Sequence, residues 1–212
     1  GLTEDTNGDI WMGSMQGLYR YQQGRNKFKM YDIFTSNQSA DIITMPFATV
    51  GNEIWVTDGR FSFKAIDCNT QQIRTLFQIP DSLRPVHFSI KLPQPDGKGN
   101  IWVATDNSIY RISIKNNRVQ TFPIFLSQIS HPKNVIVTDF SIQSSSNVLA
   151  VGTTLGMILF DTEKYKAIAI KDDKKLVSNE DIWYIKAEKD YFLVANEKCP
   201  LIKVALNGKT VT

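Results

Sequence analysis

The chain has 212 residues, 42% of them hydrophobic and 21% charged, with 24 Lys and Arg set against 21 Asp and Glu for a net charge of +3. It is long and apolar enough to bury a core, which excludes a disordered chain. The charge is dispersed, its longest run being the mixed KDDKK at 171–175, so no basic face marks nucleic acid as a partner, and no apolar run reaches the 18 residues of a membrane-spanning helix.

One stretch, GDIWMGSMQGLYRY at 8–21, returns in weaker form as GNEIWV at 51–56, GNIWV at 99–103, NVLAV at 147–151 and DYFLV at 190–194. The aligned second apolar positions are Trp11, Trp55, Trp102, Leu149 and Phe192, spaced by 44, 47, 47 and 43 residues. A period of about 40 to 50 residues marks a propeller or solenoid array. Each repeat holds four short apolar runs separated by Gly, Asn and Asp, which reads as four strands. No stretch carries the i, i+3, i+4, i+7 stripe of an amphipathic helix. The predicted fold is an all-β propeller of about five four-stranded antiparallel blades.

Repeat one, at 1–35, has strands at Leu2–Glu4, Ile10–Ser14, 17–21 and 28–31, and Asn7-Gly8 supplies the positive φ of a tight turn. Repeat two, at 40–80, has its second strand at Glu53–Thr57 and later runs at 63–66 and 73–76; Pro80, which cannot donate to a ladder, marks its end. Repeat three, at 84–126, opens on LPQPDGKGN at 92–100, read as a turn lengthened by two prolines, and continues with runs at 101–104, 109–112 and 119–122. Repeat four, at 135–172, has strands predicted at 139–143, 148–152, 157–160 and 165–170. Repeat five, at 180–212, has runs at 181–187, 190–194 and 201–204 and a short last strand. Both faces of 10–13 and 101–104 are apolar, as in a strand buried on two sides. One period runs through the whole chain, so 1–212 reads as one propeller repeat region.

The run Glu4-Asp5, Asn7-Gly8-Asp9-Ile10-Trp11-Met12-Gly13-Ser14, Gly17-Leu18-Tyr19-Arg20-Tyr21 resembles the two-component-regulator propeller repeat. So does Ser178-Asn179-Glu180-Asp181-Ile182-Trp183-Tyr184-Ile185, which is similar to the segment opening each blade of that family. Repeats one and three carry the likeness best. Repeat two has Phe61-Ser62-Phe63 where the family has Gly-Leu, repeat four keeps Gly156 without the Trp, and repeat five keeps its strand pattern. The resemblance implies the periplasmic sensor region of a hybrid histidine kinase of Bacteroidetes type, with a small-molecule or oligosaccharide ligand released by polysaccharide breakdown. The chain opens and closes within a repeat, which reads as a slice of a longer sensor. With no strand at either end to complete a shared blade, the expectation is self-association through the terminal blades, with strained closure of the five blades as the alternative.

No catalytic constellation and no metal or cofactor motif stands out, so this fragment is read as a non-enzyme. His87 and His131 lie in links between repeats, without Cys or carboxylate at ligand spacing. Cys68 and Cys199 are too few for a disulfide framework and read as free thiols. Trp11, Trp55 and Trp102 recur at one strand position and read as packing. Trp183 differs: it sits on a first strand, which in a propeller lines the central channel, and is a candidate ligand contact. Links between repeats, and between second and third strands, open on one face of a propeller. That face is expected to gather Arg60, Arg84, His87, His131, Asn134 and Asn179, whose amides, imidazoles and guanidiniums suit a hydroxyl-rich ligand. Two other classes use such a fold. A polysaccharide lyase or glycosidase needs clustered His and carboxylates that the sequence does not offer. A protein-interaction scaffold is left open by fold alone.

Overall fold

Short runs of β-branched and aromatic residues, punctuated by turn residues every few positions, can satisfy their backbone groups only by pairing with the next run along the chain. The structure, a computed structural model describing residues 1–33, 44–58, 62–80, 91, 93–105, 108–122, 135–172 and 174–211, shows that local pairing throughout. The chain divides into two compact units, Gly1–Leu92 and Pro93–Thr212. The first holds β1 (Leu2–Glu4), β2 (Ile10–Ser14), β3 (Gly17–Gln22) and β4 (Lys27–Tyr31), then β5 (Met45–Val50), β6 (Glu53–Thr57), β7 (Ser62–Asp67) and β8 (Ile73–Gln78). The second holds β9 (Gln94–Pro95), β10 (Asn100–Ala104), β11 (Ile109–Ser113) and β12 (Arg118–Phe122) as repeat three. It continues with β13 (Val137–Gln143), β14 (Val148–Thr153), β15 (Gly156–Asp161) and β16 (Lys166–Ile168) as repeat four. Repeat five is β17 (Ile182–Ala187), β18 (Tyr191–Asn196), β19 (Ile202–Ala205) and β20 (Thr210–Val211). Each consecutive set of four forms one antiparallel sheet in chain order. The described residues contain no α-helix, only a 3-10 turn at Gln23–Arg25.

The tryptophans explain why the sheets repeat as they do. Trp11 is fully buried, and its indole Nε1–H donates to Asp5 Oδ2 at 2.8 Å. The other oxygen of Asp5 accepts the backbone N–H groups of Asn7 and Asp9, fixing the turn before β2. Repeat three builds the same clasp. Asp96 Oδ1 accepts from Lys98 N and Asn100 N, and its Oδ2 takes Trp102 Nε1–H at 3.3 Å. An aromatic ring on the fourth strand then tilts onto each indole, Tyr31 on Trp11 and Phe122 on Trp102, both at 5.2 Å between centroids. In repeat two Thr49 stands where the acid would be, and Trp55 turns its N–H to Glu53, which also takes a bidentate Arg74 at 2.7 Å.

Within the second unit, repeat four is covered on both faces. Phe140, Leu149, Val151 and Phe160 pack with Trp102 and Phe122 of repeat three. Val148, Ala150 and Leu159 pack with Ile182, Ile185, Phe192 and Val194 of repeat five. Every residue of β14 is buried, as a doubly covered strand requires. First strands are further joined through side chains. Ile185 N donates to Asp139 Oδ2 at 2.7 Å, Ala187 N to Ser141 Oγ at 2.9 Å, and Ile142 N to Gln94 Oε1 at 3.2 Å. Gly152 permits the close approach of repeat five, since a Cβ there would lie 2.7 Å from Ile182 Cγ2. In the first unit Trp11, Leu18 and Tyr31 pack with Ile54, Val56, Ile66 and Cys68. Both cysteines are free, and burial, helped by the nearby charge of Asp5, pushes the Cys68 thiol up to about 11.

Some expectations change. The stretch 92–100 is more than a turn, because Gln94–Pro95 pairs with Trp102 and Ile101 as an edge strand, a position that tolerates proline. The fourth strand of repeat four is shorter than 165–170, because Tyr165 adopts a left-handed conformation (φ 53) and 169–170 leave the sheet. Of the stretch 10–13 only Trp11 is fully buried. The opposite face of that sheet, with Leu2, Phe28 and Met30, is exposed.

Replacing Trp102 by Ala should cost about 3–5 kcal/mol and lower the Tm by about 10 °C. Trp183, 58% exposed, should tolerate the same change within about 0.5 kcal/mol. Thermal melts of the two variants check the assignment, and equal losses would refute it.

Candidate functional site

A cleft of about 340 Å3 opens on repeat four where its outer edge splits. β16 pairs with β15 only from Leu159 to Asp161. The N-terminal end of β15 is taken instead by the chain at 177–178, with Met157 N bonded to Val177 O at 3.0 Å and Gly156 bridged to Ser178. Between the two contacts lies a floor of Met157, Leu159, Ile168 and Ile170, rimmed by Thr153, Ser178 and Asn179. Gly156 (φ 124) is needed at the rim, since a Cβ would lie 2.8 Å from Val177 O.

Asp172 holds the returning loop in place. Its carboxylate accepts Leu176 N at 2.7 Å, Val177 N and Ser178 N at 2.8 Å, and the Ser178 hydroxyl at 2.7 Å. Burial opposes its ionisation, but the N–H groups of Val177 and Leu176 and both donors of Ser178 outweigh that, and the carboxyl stays below the usual range. Asn196 Nδ2 ties the same loop through Leu176 O.

Of the predicted site residues, Asn179 lines this cleft. It is exposed and left-handed (φ 60), a conformation asparagine adopts at little cost, and its N–H bonds Leu155 O at 3.2 Å. Trp183 is exposed but is not part of the lining. It is the bulged residue of β17, where the register shifts between Ile182 and Tyr184, and the bulge turns both Trp183 and Tyr184 (51% exposed) outward. Arg60, Arg84, His87, His131 and Asn134 lie outside the described residues. Among the described residues no group of His, Cys, Asp and Glu gathers with metal-binding spacing, and no helix is long and apolar enough to cross a membrane. Sequence reasoning missed Asp172 and the cleft floor. Asp172 reads from sequence as part of a charged run and as one of two adjacent carboxylates pointing opposite ways, and the split edge depends on where β16 ends.

The chain matches no protein-family model and no curated protein sequence. Solved structures are similar over its whole length. Two crystal structures of the extracellular domain assigned to BT4673 of B. thetaiotaomicron, a one-component or hybrid two-component system, superpose with TM-scores of 0.70 and 0.69 at 16% identity. They cover 100% of this chain, which spans 29% of theirs. Sqt1 of Saccharomyces cerevisiae, a propeller-like protein, is similar at a TM-score of 0.64 and 15% identity, with 98% of this chain and 56% of Sqt1 covered. The five sheets are propeller blades. The cleft therefore lies on blade four, and Asp172 anchors the link that leads from blade four into blade five.

Changing Asp172 to Asn should destabilise the chain by about 1–3 kcal/mol at pH 7. Its folded pKa is lowered, so its contribution is complete above the ordinary carboxylate value of about 3.9 and is lost as pH falls through the folded value. Urea midpoints of wild type and variant should differ at pH 7 and converge as pH falls below the lowered folded value. A gap that stayed constant would contradict the assignment.

Proposed function

We propose that the chain is the extracytoplasmic, ligand-sensing propeller region of a two-component sensor, placed in the periplasm and not itself an enzyme. The observation that carries this reading is likeness over the full chain to the extracellular domain assigned to BT4673. The repeat at 4–21 and the blade-opening segment at 178–185 support it. The ligand we propose is a carbohydrate fragment. The cleft on blade four joins an apolar floor to the exposed Asn179 amide and the Ser178 hydroxyl oxygen, which can still accept, a mixture suited to one face of a sugar ring and its hydroxyls. Asn179 is proposed as a ligand contact there, and Trp183 and Tyr184 as exposed stacking surfaces nearby in the chain. In the intact receptor, binding would bias a conformational equilibrium that the membrane transmits to a kinase.

Thermal shift of the purified chain against a panel of oligosaccharides tests this. A saccharide at about 100 times its Kd should add about 2.7 kcal/mol of apparent stability, and Asn179→Gly, which keeps the left-handed backbone, should weaken that gain while moving the unliganded Tm by no more than about 2 °C. No shift with any saccharide at millimolar concentration would overturn the carbohydrate assignment.

A further inference from the structure

Blades one and three carry an arginine at the same place. Arg20 is registered opposite Trp11, and Arg111 opposite Trp102. Both guanidiniums lie over the indole, at 5.1 and 5.7 Å from the ring centroid. In blade one the charge is met in full. Arg20 Nη2 pairs with Asp5 at 3.2 Å, its Nε with Asp9 at 2.8 Å, and its Nη1 donates to Cys68 O at 2.9 Å. In blade three the position of Asp9 is occupied by Asn100. Asn100 donates its amide to Asp96 at 2.7 Å, and Asp96 spends its remaining capacity on Trp102 and the turn. Among the described residues Arg111 is left with no carboxylate. Its Nη2 donates to Gln120 at 2.5 Å and Tyr165 Oη at 3.3 Å, while Nε and Nη1 have no partner among the described residues.

Arg111 lines a cleft of about 510 Å3 with Asn100, Ser113, Asn116, Arg118, Val119 and Gln120, and no acidic residue is in the lining. Arg118 is exposed, and among the described residues it makes no ion pair and the side chains of Ser113 and Asn116 make no hydrogen bond. Tyr165 stacks on Phe122 at 5.7 Å with the rings 7° apart, and its hydroxyl is bonded by Gln120. It does so from a left-handed backbone (φ 53), where blades one and three use Asn26 and Asn117. A bulky residue in that conformation is strained, and strain of this kind collects where geometry is being enforced.

We propose that this cleft binds a carboxylate on a small hydroxylated ligand, a uronic acid, with Arg111 and Arg118 as the anion contacts and Ser113 and Asn116 as hydroxyl partners. The arginine position already takes carboxylates in blade one, where Asp5 and Asp9 supply them from within the chain. With Nη2 held by Gln120 and Tyr165, Nη1 of Arg111 can donate to one carboxylate oxygen while the Arg118 guanidinium takes the other. A half-buried guanidinium without a counter-charge gains more from such a ligand than one already paired. The site shares no lining residue with the cleft at Asn179, and it does not rest on the sensor reading.

The test is calorimetric titration with trigalacturonate, the corresponding neutral galactose trimer and inorganic sulfate, at low and high salt. Wild type should bind trigalacturonate in the millimolar range or tighter, more weakly at high salt, and should not bind the neutral trimer. Asn100→Asp, which rebuilds the blade-one pairing, should weaken binding at least tenfold while preserving or raising the Tm. Arg118→Ala, a change at an exposed side chain, should weaken it several-fold, which keeps the test valid should Asn100→Asp fold poorly. No binding by wild type, equal binding of the neutral trimer or of sulfate, or affinity unchanged in both variants would overturn the proposal.

Discussion

A buried indole carries one N–H that must find an acceptor, and most of this fold follows from how that need is met. Burying the ring of Trp11 or Trp102 removes a large apolar surface from water, but an unsatisfied Nε1–H would return much of the gain. The acceptor is an aspartate six residues upstream, Asp5 or Asp96, on the far side of a tight turn. Because the same carboxylate also accepts two backbone N–H groups of that turn, one residue sets three things. It fixes the turn, the entry of the second strand and the orientation of the indole. The aromatic residue of the fourth strand then meets the ring at the same distance in both blades, 5.2 Å.

Where the acid is missing, the blade is held differently. Blade two turns Trp55 toward Glu53, whose carboxyl is kept below its usual range first by the hydrogen bond from Arg74. Blade four replaces Trp by Leu149 and gains burial on both faces of its sheet, with the aromatic mass supplied by Phe140 and Phe160. Its first strand offers Asp139 and Ser141 to the backbone N–H groups of blade five, so polar groups that a lone sheet edge would expose are satisfied between blades. The period survives the loss of its marker residue because each sheet needs only an apolar filling and a partner for every edge donor.

Much of this was legible in the sequence. The spacing of Trp11, Trp55, Trp102, Leu149 and Phe192 gave the number of blades, and the short runs gave nearly every strand, since local pairing along the chain leaves few alternatives. The clasp was legible too and was missed: Asp5 and Asp96 stand at one fixed distance before their tryptophans, but an acid beside Asn-Gly or Gly-Lys-Gly reads first as a turn residue. β9 was hidden because a two-residue strand containing Pro95 carries no apolar alternation. Exposure of one face of β2 was not legible, since apolar residues on both sides of a strand state what could be covered and not what is. The candidate sites were the least legible part. The cleft at Asn179 depends on where β16 stops, and the Arg111 cleft depends on which carboxylate a neighbouring residue consumes. Neither is a property of any single residue type.

The claim that one hydrogen bond couples turn, strand and indole is tested most directly by a double-mutant cycle on blade three. Asp96→Ala removes the acceptor, Trp102→Phe removes the donor while keeping an aromatic ring, and the double variant removes both. Unfolding free energies of the four proteins should give a coupling of about 1.5 kcal/mol or more, as expected of a buried hydrogen bond to a charged group. If the two losses added to within about 0.3 kcal/mol, Asp96 and Trp102 would be acting independently, and the clasp would not be what organises the blade.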